Sequence, residues 1–158
     1  MDKLIVGIAE GKVAVGSQVL VSYALGSCVG ICLYDRQARI AGMAHVILPG
    51  RDFSANKSNP YKFADEGVRE LVQEMERRGA RASGLVAKIA GGARMFETTK
   101  NTMDIGERNV EAVKRSLARA GIRLMAQDTG KNYGRTIYFY AESGKLKIST
   151  VRHADIVL

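Results

Sequence analysis

The sequence predicts an α+β fold, a largely antiparallel β core with helices covering its outside. Three observations predict it. About eight or nine short segments rich in β-branched residues are separated by glycine and turn residues. Only two segments carry the 3.6-residue apolar period of a well-formed amphipathic helix. The chain has 158 residues, 46% apolar and 25% charged, which suits one domain with a real buried core spanning residues 1–158.

Taken in order, residues 3–10 (KLIVGIAE), 12–16 (KVAVG) and 18–23 (QVLVSY) read as short strands divided by glycines. Residues 28–35 (CVGICLYD) and 39–48 (RIAGMAHVIL) flank a hairpin-length connection. Alternation puts Cys28, Gly30, Cys32 and Tyr34 on one face of the first, and Met43, His45 and Ile47 on one face of the second. Residues 52–62 are polar and turn-rich, hence a loop, and Asn59-Pro60 is a helix start. Ala64, Val68, Leu71, Val72 and Met75 form the stripe of a first helix, ended by Gly79. Residues 84–93 (GLVAKIAGGA) read as a buried strand entering a glycine turn. A second helix over 107–121 has Val110, Val113, Leu117 and Ala120 on its apolar side and Gly121 as its stop. Three more strands, in 122–130, 135–143 and 145–152, close the chain.

Composition narrows the function classes. There is no apolar run of ~18 residues to span a membrane. The N-terminal apolar stretch is interrupted by Glu10 and Lys12 and does not read as a signal peptide, so a cytoplasmic location is expected. The two cysteines, Cys28 and Cys32, would lie about 13 Å apart on one strand, too far for a disulfide, which suits a reducing compartment. The net charge of +8 favours an acidic partner. The bases are spread out; those in 75–83 and 113–123 lie at helix ends, where they complement the helix dipole, and no aromatic-basic motif accompanies the charge, so nucleic acid is not the expected partner.

Any thiol chemistry must use Cys28, Cys32, His45 and His153, the full set of thiols and imidazoles. Cys28 follows Gly26-Ser27 at a tight turn, and His45 lies on a nearby strand, which is the arrangement of a thiol nucleophile with a base. The reactive form is the thiolate, so something must lower the Cys28 pKa; a nearby imidazolium and turn N–H groups would do so. The turn backbone at Gly26 and Ser27 would let a carbonyl approach and would hold its oxyanion. On spacing alone another reading stays open: a small core cysteine and a satisfied buried histidine. Cys32 reads as core and His153 as surface.

The segments VSYALGSCVGICLYD, GMAHVILPG, KFADEGVRELV, KIAGGARMF, IGERNVEAVK and QDTGKNYGRTI occur in an order and spacing that resembles the CheD family, chemoreceptor glutamine deamidases of bacterial and archaeal chemotaxis. The resemblance covers nearly the whole chain. It implies a β-sandwich core flanked by two or more helices, Cys28 as nucleophile, His45 as general base and acid, and a hydroxyl six residues before the cysteine that orients the imidazole. That hydroxyl is usually a threonine; here it is Ser22, which lacks the methyl that restricts χ1. Around DTG, where the family often has an acidic residue and a second glycine, this chain has Gln127 and Lys131, which leaves that loop only the shaping of a cleft. The glycines of GGARMF are expected to form a turn beside the site; no Lys-Ser/Thr follows them as a phosphate loop requires. The implied reaction, deamidation through a cysteine thioester, needs no cofactor and no metal. The implied substrate is the cytoplasmic helices of chemoreceptors. The implied alternative role is regulation of CheC, a phosphatase of phosphorylated CheY.

Overall fold

The computed structural model describes residues 2–53, 59–95 and 104–158. Among them run β1 (Lys3–Ile5), β2 (Gly11–Val15), β3 (Val19–Leu25), β4 (Val29–Asp35), β5 (Ile40–Val46), α1 (Ala64–Arg77), β6 (Leu85–Gly91), α2 (Ile105–Arg119), β7 (Arg123–Thr129), β8 (Arg135–Tyr140), β9 (Leu146–Ser149) and β10 (Ile156–Val157). The strands form two five-stranded sheets, ordered β1-β3-β8-β9-β10 and β2-β5-β4-β6-β7.

Alternation along β4 and β5 makes the second sheet two-faced. Val29, Ile31, Leu33, Ala44 and Val46 pack under α1 and α2 with Val68, Leu71, Met75, Val113 and Leu117. Cys32, Tyr34, Ala41 and Met43 face the first sheet and meet Leu20, Leu25, Ile137 and Phe139. The result is three layers, helices on sheet on sheet. The expected β-sandwich with helices outside is present, and most strand pairs are antiparallel. Two pairs are parallel, β1 with β3 and β6 with β7. The second needs a crossover, which α2 provides.

Both helices end as their glycines foretold. Gly79 has φ +105° and Ala80 N–H donates to Met75 O at 3.0 Å; Gly121 has φ +72° and Ile122 N–H donates to Leu117 O at 2.9 Å. Each is a left-handed stop that satisfies an otherwise orphaned carbonyl. Ala120 is exposed, so the apolar face of α2 ends at Leu117.

The polar segment 52–62 lies partly outside the described residues. Pro60 starts a 3-10 turn, Pro60–Lys62, capped by Asn59, whose side chain accepts the Tyr61 N–H. The helix itself begins only at Ala64. The chain is first held against the end of β5, because Ile47 and Leu48 N–H both donate to Lys62 O, at 3.0 and 3.1 Å. The strand β10 had no sequence signal: two residues, paired with β9.

Candidate active site

The chain passes from the first sheet to the second between β3 and β4, and Gly26-Ser27-Cys28 is that passage. A bulge in β3 prepares it. Register with β8 shifts between Ser22 and Leu25, and Ala24 adopts φ +53° with its N–H on Thr136 Oγ1 at 3.2 Å. Leu20 and Ser22 point between the sheets. The extra residue reverses the alternation, so that Leu25 points inward again and the chain turns toward the second sheet.

The turn is tied from outside through its carbonyls. Gly26 O accepts Ala93 N–H at 2.9 Å and Cys28 O accepts Gly92 N–H at 2.8 Å. Ser27 O accepts Asn109 Nδ2 at 3.0 Å. The glycines of GGARMF do form a turn against the site, with φ +116° at Gly91 and +66° at Gly92. A Cβ on Gly91 would lie 2.2 Å from Cys28 O. Glycine is required there both by conformation and by contact.

Strand register brings the thiol and the imidazole to one face. Gly30 pairs with His45 and Val29 with Val46. Continued by one pair, this sets Cys28 opposite Ile47, with His45 its diagonal neighbour; such pairs are typically about 7–8 Å apart, within reach of a long side chain. Directly opposite His45 stands Gly30, over which Ile137 and Leu25 pack so closely that a Cβ would lie 2.4 Å from Ile137 Cδ1.

His45 is 4% exposed, and neither ring nitrogen has a hydrogen-bond partner among the described residues. Burial pushes its pKa below the ordinary value; the nearby Val6 carbonyl and the Glu10 carboxylate act the other way. The loop between β1 and β2 supplies both groups. It is stitched to the histidine by backbone bonds, Ala9 N–H to His45 O and His45 N–H to Glu10 O, each 2.9 Å. Ser22 is fully buried, and its hydroxyl donates to Val6 O at 2.6 Å. The hydroxyl's proton therefore goes to the Val6 carbonyl and not to the imidazole, so the expected direct bond from Ser22 to His45 is not made.

Cys28 is half-buried and unpaired. Burial pushes its thiol above the ordinary value, and its own backbone N–H acts the other way. The sequence called for a lowered pKa. The structure differs: burial raises the Cys28 pKa, and burial also lowers that of His45, which disfavours the imidazolium. Cys32 is fully buried and its pKa is pushed far up by the same cause, as expected of a core thiol. His153 is exposed, with its ring 4.5 Å from that of Tyr133.

Gln127 lies in β7, paired with Ile89, and Lys131 sits in the loop after β7, which closes on the glycine turn. Arg94 N–H donates to Lys131 O at 2.8 Å and Gly130 N–H to Gly91 O at 3.0 Å. Beneath it the buried Arg135 bonds Asp128 Oδ2 and Gly130 O, each at 3.0 Å. A depression of about 820 Å³ is lined by Ala24, Tyr133, Arg135 and His153 among others and contains neither Cys28 nor His45. No group of three or more acidic, cysteine or histidine side chains that could hold a metal ion occurs among the described residues.

Two participants were missed from sequence. One is the Val6 carbonyl, a backbone atom with no letter of its own. The other is Asn109, fully buried, whose Nδ2 donates to Ser27 O and to Ile47 O, each at 3.0 Å. A signal for it existed. Asn109 lies one turn before Val113 on the apolar side of α2, where a polar residue must find buried partners.

A family model described as CheD chemotactic sensory transduction matches residues 47–150. The chain belongs to the CheD family. The matched region includes α2 and the glycine turn but begins after His45. Full-length similarity spans the rest. A protein named probable chemoreceptor glutamine deamidase CheD from Caldanaerobacter subterraneus subsp. tengcongensis is 48% identical over 150 residues, covering 94% of this chain and 93% of its own. The chemoreceptor glutamine deamidase CheD of Thermotoga maritima is 46% identical over 149 residues, covering 94% and 92%. The probable CheD deamidase of Pyrococcus horikoshii is 40% identical over 158 residues, covering 99% and 98%.

Proposed function

We propose that this CheD family member deamidates glutamine side chains on chemoreceptor cytoplasmic helices, with Cys28 as nucleophile and His45 as general base and acid. The observation that carries the reading is the strand register, which sets a half-buried thiol and a buried imidazole on one face beside Gly30. Full-length similarity to proteins named glutamine deamidases supplies the substrate class.

At rest both groups are neutral, since burial raises one pKa and lowers the other. The attack is therefore coupled to proton transfer. His45 takes the thiol proton as Sγ bonds to the side-chain carboxamide carbon. The carbonyl electron pair moves to oxygen, and turn N–H groups at Gly26, Ser27 and Cys28 hold the oxyanion. The imidazolium then protonates the departing nitrogen, the C–N bond breaks, and ammonia leaves a thioester. A water deprotonated by His45 attacks that carbon, Sγ leaves as thiolate and is reprotonated, and a glutamate remains. Ser22 acts beside this, holding the Val6 carbonyl against the imidazole.

The reaction takes place in the cytoplasm, with residues 1–158 acting as one domain. No described helix is long and apolar enough to cross a membrane. The large depression elsewhere is not needed, because a protein substrate can present one slim amide to a narrow site. Mass spectrometry of a receptor cytoplasmic fragment, with ammonia measured in parallel, tests the reading. Amide-to-carboxylate conversion at discrete glutamines is expected. Copurification with CheC and no ammonia would instead make the chain a regulator of that phosphatase.

A further inference from the structure

We infer that Asn109 is a positioning residue of the Cys28–His45 site, one that aims the Cys28 N–H and fixes the thiol-bearing turn against the strand of the base. The inference rests on the site assignment above and adds a residue to it.

Three observations combine. First, one amide group holds both halves of the site. Nδ2 of Asn109 donates to Ser27 O, the carbonyl just before Cys28, and to Ile47 O, two residues beyond His45, each at 3.0 Å. Both of its hydrogens are used on acceptors in different chain segments, 82 and 62 residues away in sequence. The orientation of the amide is set by this geometry, because the flipped form would turn Oδ1 toward two carbonyl oxygens.

Second, the bond to Ser27 O orients a peptide. The described chain has no cis peptide bonds. In a planar trans peptide the C=O and the following N–H point in opposite directions. Holding the Ser27 carbonyl toward α2 therefore turns the Cys28 N–H away from α2. That N–H is one of the three donors assigned to the oxyanion. Asn109 acts on it through the peptide plane and touches no substrate.

Third, the helix is anchored where Asn109 needs it. Gly106, on the first turn of α2, lies so close to the Gly92-Ala93 backbone that a Cβ would approach Ala93 O to 2.5 Å. Asp104 caps the helix by accepting Glu107 N–H at 2.8 Å and pairs with Arg94 at 2.7 Å. The Gly92-Ala93 turn in turn binds the carbonyls of Cys28 and Gly26. Asn109 Oδ1 is buried and has no partner among the described residues. The two donors of Asn109 account for its presence.

The test compares two reactions of Cys28 in the full chain. Acylation by p-nitrophenyl acetate forms an S–C bond at the acetyl carbon, expels p-nitrophenolate and passes through an oxyanion. Alkylation by iodoacetamide displaces iodide at a saturated carbon and forms no oxyanion. Asn109→Asp keeps the shape and removes the donors. Asn109→Ala removes the side chain. Ser116→Ala is the control, since Ser116 on the same helix only ties α2 to Asp65 O, at 3.0 Å. In both Asn109 variants acylation should fall about 10²-fold, the usual effect of a misdirected oxyanion donor. Alkylation should stay within a few-fold of wild type, and Ser116→Ala should change neither rate. Unchanged acylation overturns the inference. So does equal loss of both reactions, which would show a general collapse of the turn. If Asn109→Ala does not fold, Asn109→Asp carries the comparison, with circular dichroism as the folding check. Neither reaction requires a receptor, so failure of the deamidase reading would appear separately, as wild-type acylation without ammonia release.

Discussion

Cys28 and Cys32 are four residues apart and lie in different chemical surroundings, one half-buried at a turn and the other sealed between the sheets. Cys28→Ala should abolish deamidation and leave the fold intact. Cys32→Ala should keep activity and cost about 1 kcal/mol of stability, as modest core truncations do. Receptor-fragment mass shift and thermal melting check the pair, and the reverse pattern would assign the nucleophile to the wrong thiol. For His45 the sign of the pH effect follows from its lowered pKa. Above the ordinary histidine value of about 6.5, the folded and unfolded states are both neutral at this position. As pH falls below it, the unfolded chain takes up a proton that the folded protein refuses until its own lower pKa is reached. Stability is therefore lost across that window as pH falls. Melting temperatures between pH 7.5 and 5.5 should decline more steeply for wild type than for His45→Gln; parallel slopes would refute the burial argument. At this scale the Gly-Ser-Cys turn and the single strand histidine were legible as letters. The Val6 carbonyl and the two acceptors of Asn109 were not, because backbone atoms carry no sequence signature and the contacts of Asn109 span 82 and 62 residues.

The elements that place these residues are a bulge, a glycine turn and a helix start. Alternation of apolar residues located β3, β4 and β5, and it correctly put Cys28 on the face of Gly30, and His45 on that of Met43. It did not reveal the bulge at Tyr23-Ala24, because Ala24 carries no mark of a left-handed conformation; the pull of Thr136 Oγ1 and the crossing between sheets set it there. The glycine turn was read as a turn beside the site, and its contact with Cys28 is what makes it specific. Gly91→Ala must strain a positive φ and push a methyl into Cys28 O. Destabilisation of about 1–3 kcal/mol is expected, with a loss of kcat beyond what the folded fraction explains. Melting and single-turnover kinetics at a temperature where the variant stays folded would check this. Activity that tracks only the folded fraction would show that the turn tolerates displacement of the Cys28 carbonyl.

Across the whole molecule, the layered architecture was legible from the count and spacing of strands and from two amphipathic helices. Parallel pairing of β1 with β3 was not, since the periodicity of a strand says nothing about its neighbour's direction. The net charge of +8 was also legible, and its consequence can be measured. If it draws the protein to acidic receptor helices, kcat/KM on a receptor fragment should fall as salt rises, because the screening length shrinks from about 10 Å at 0.1 M to about 3 Å at 1 M. Acylation of Cys28 by a small neutral ester should change little over the same range. Equal salt sensitivity of the two would leave the basic residues no part in substrate capture.

The burial that raises the Cys28 pKa also bears on survival in an environment that contains peroxide. Oxidation to sulfenic acid proceeds through the thiolate, so a thiol held neutral by burial is a slow target. Cysteine enzymes with a standing thiolate trade readiness for fragility. In the mechanism proposed above, the anion exists only while a proton rests on His45, when a substrate already occupies the turn. Sulfenylation of Cys28 at neutral pH should therefore be slower than that of free cysteine, and bound receptor should shield the thiol further; a rate above that of free cysteine would reveal a standing thiolate.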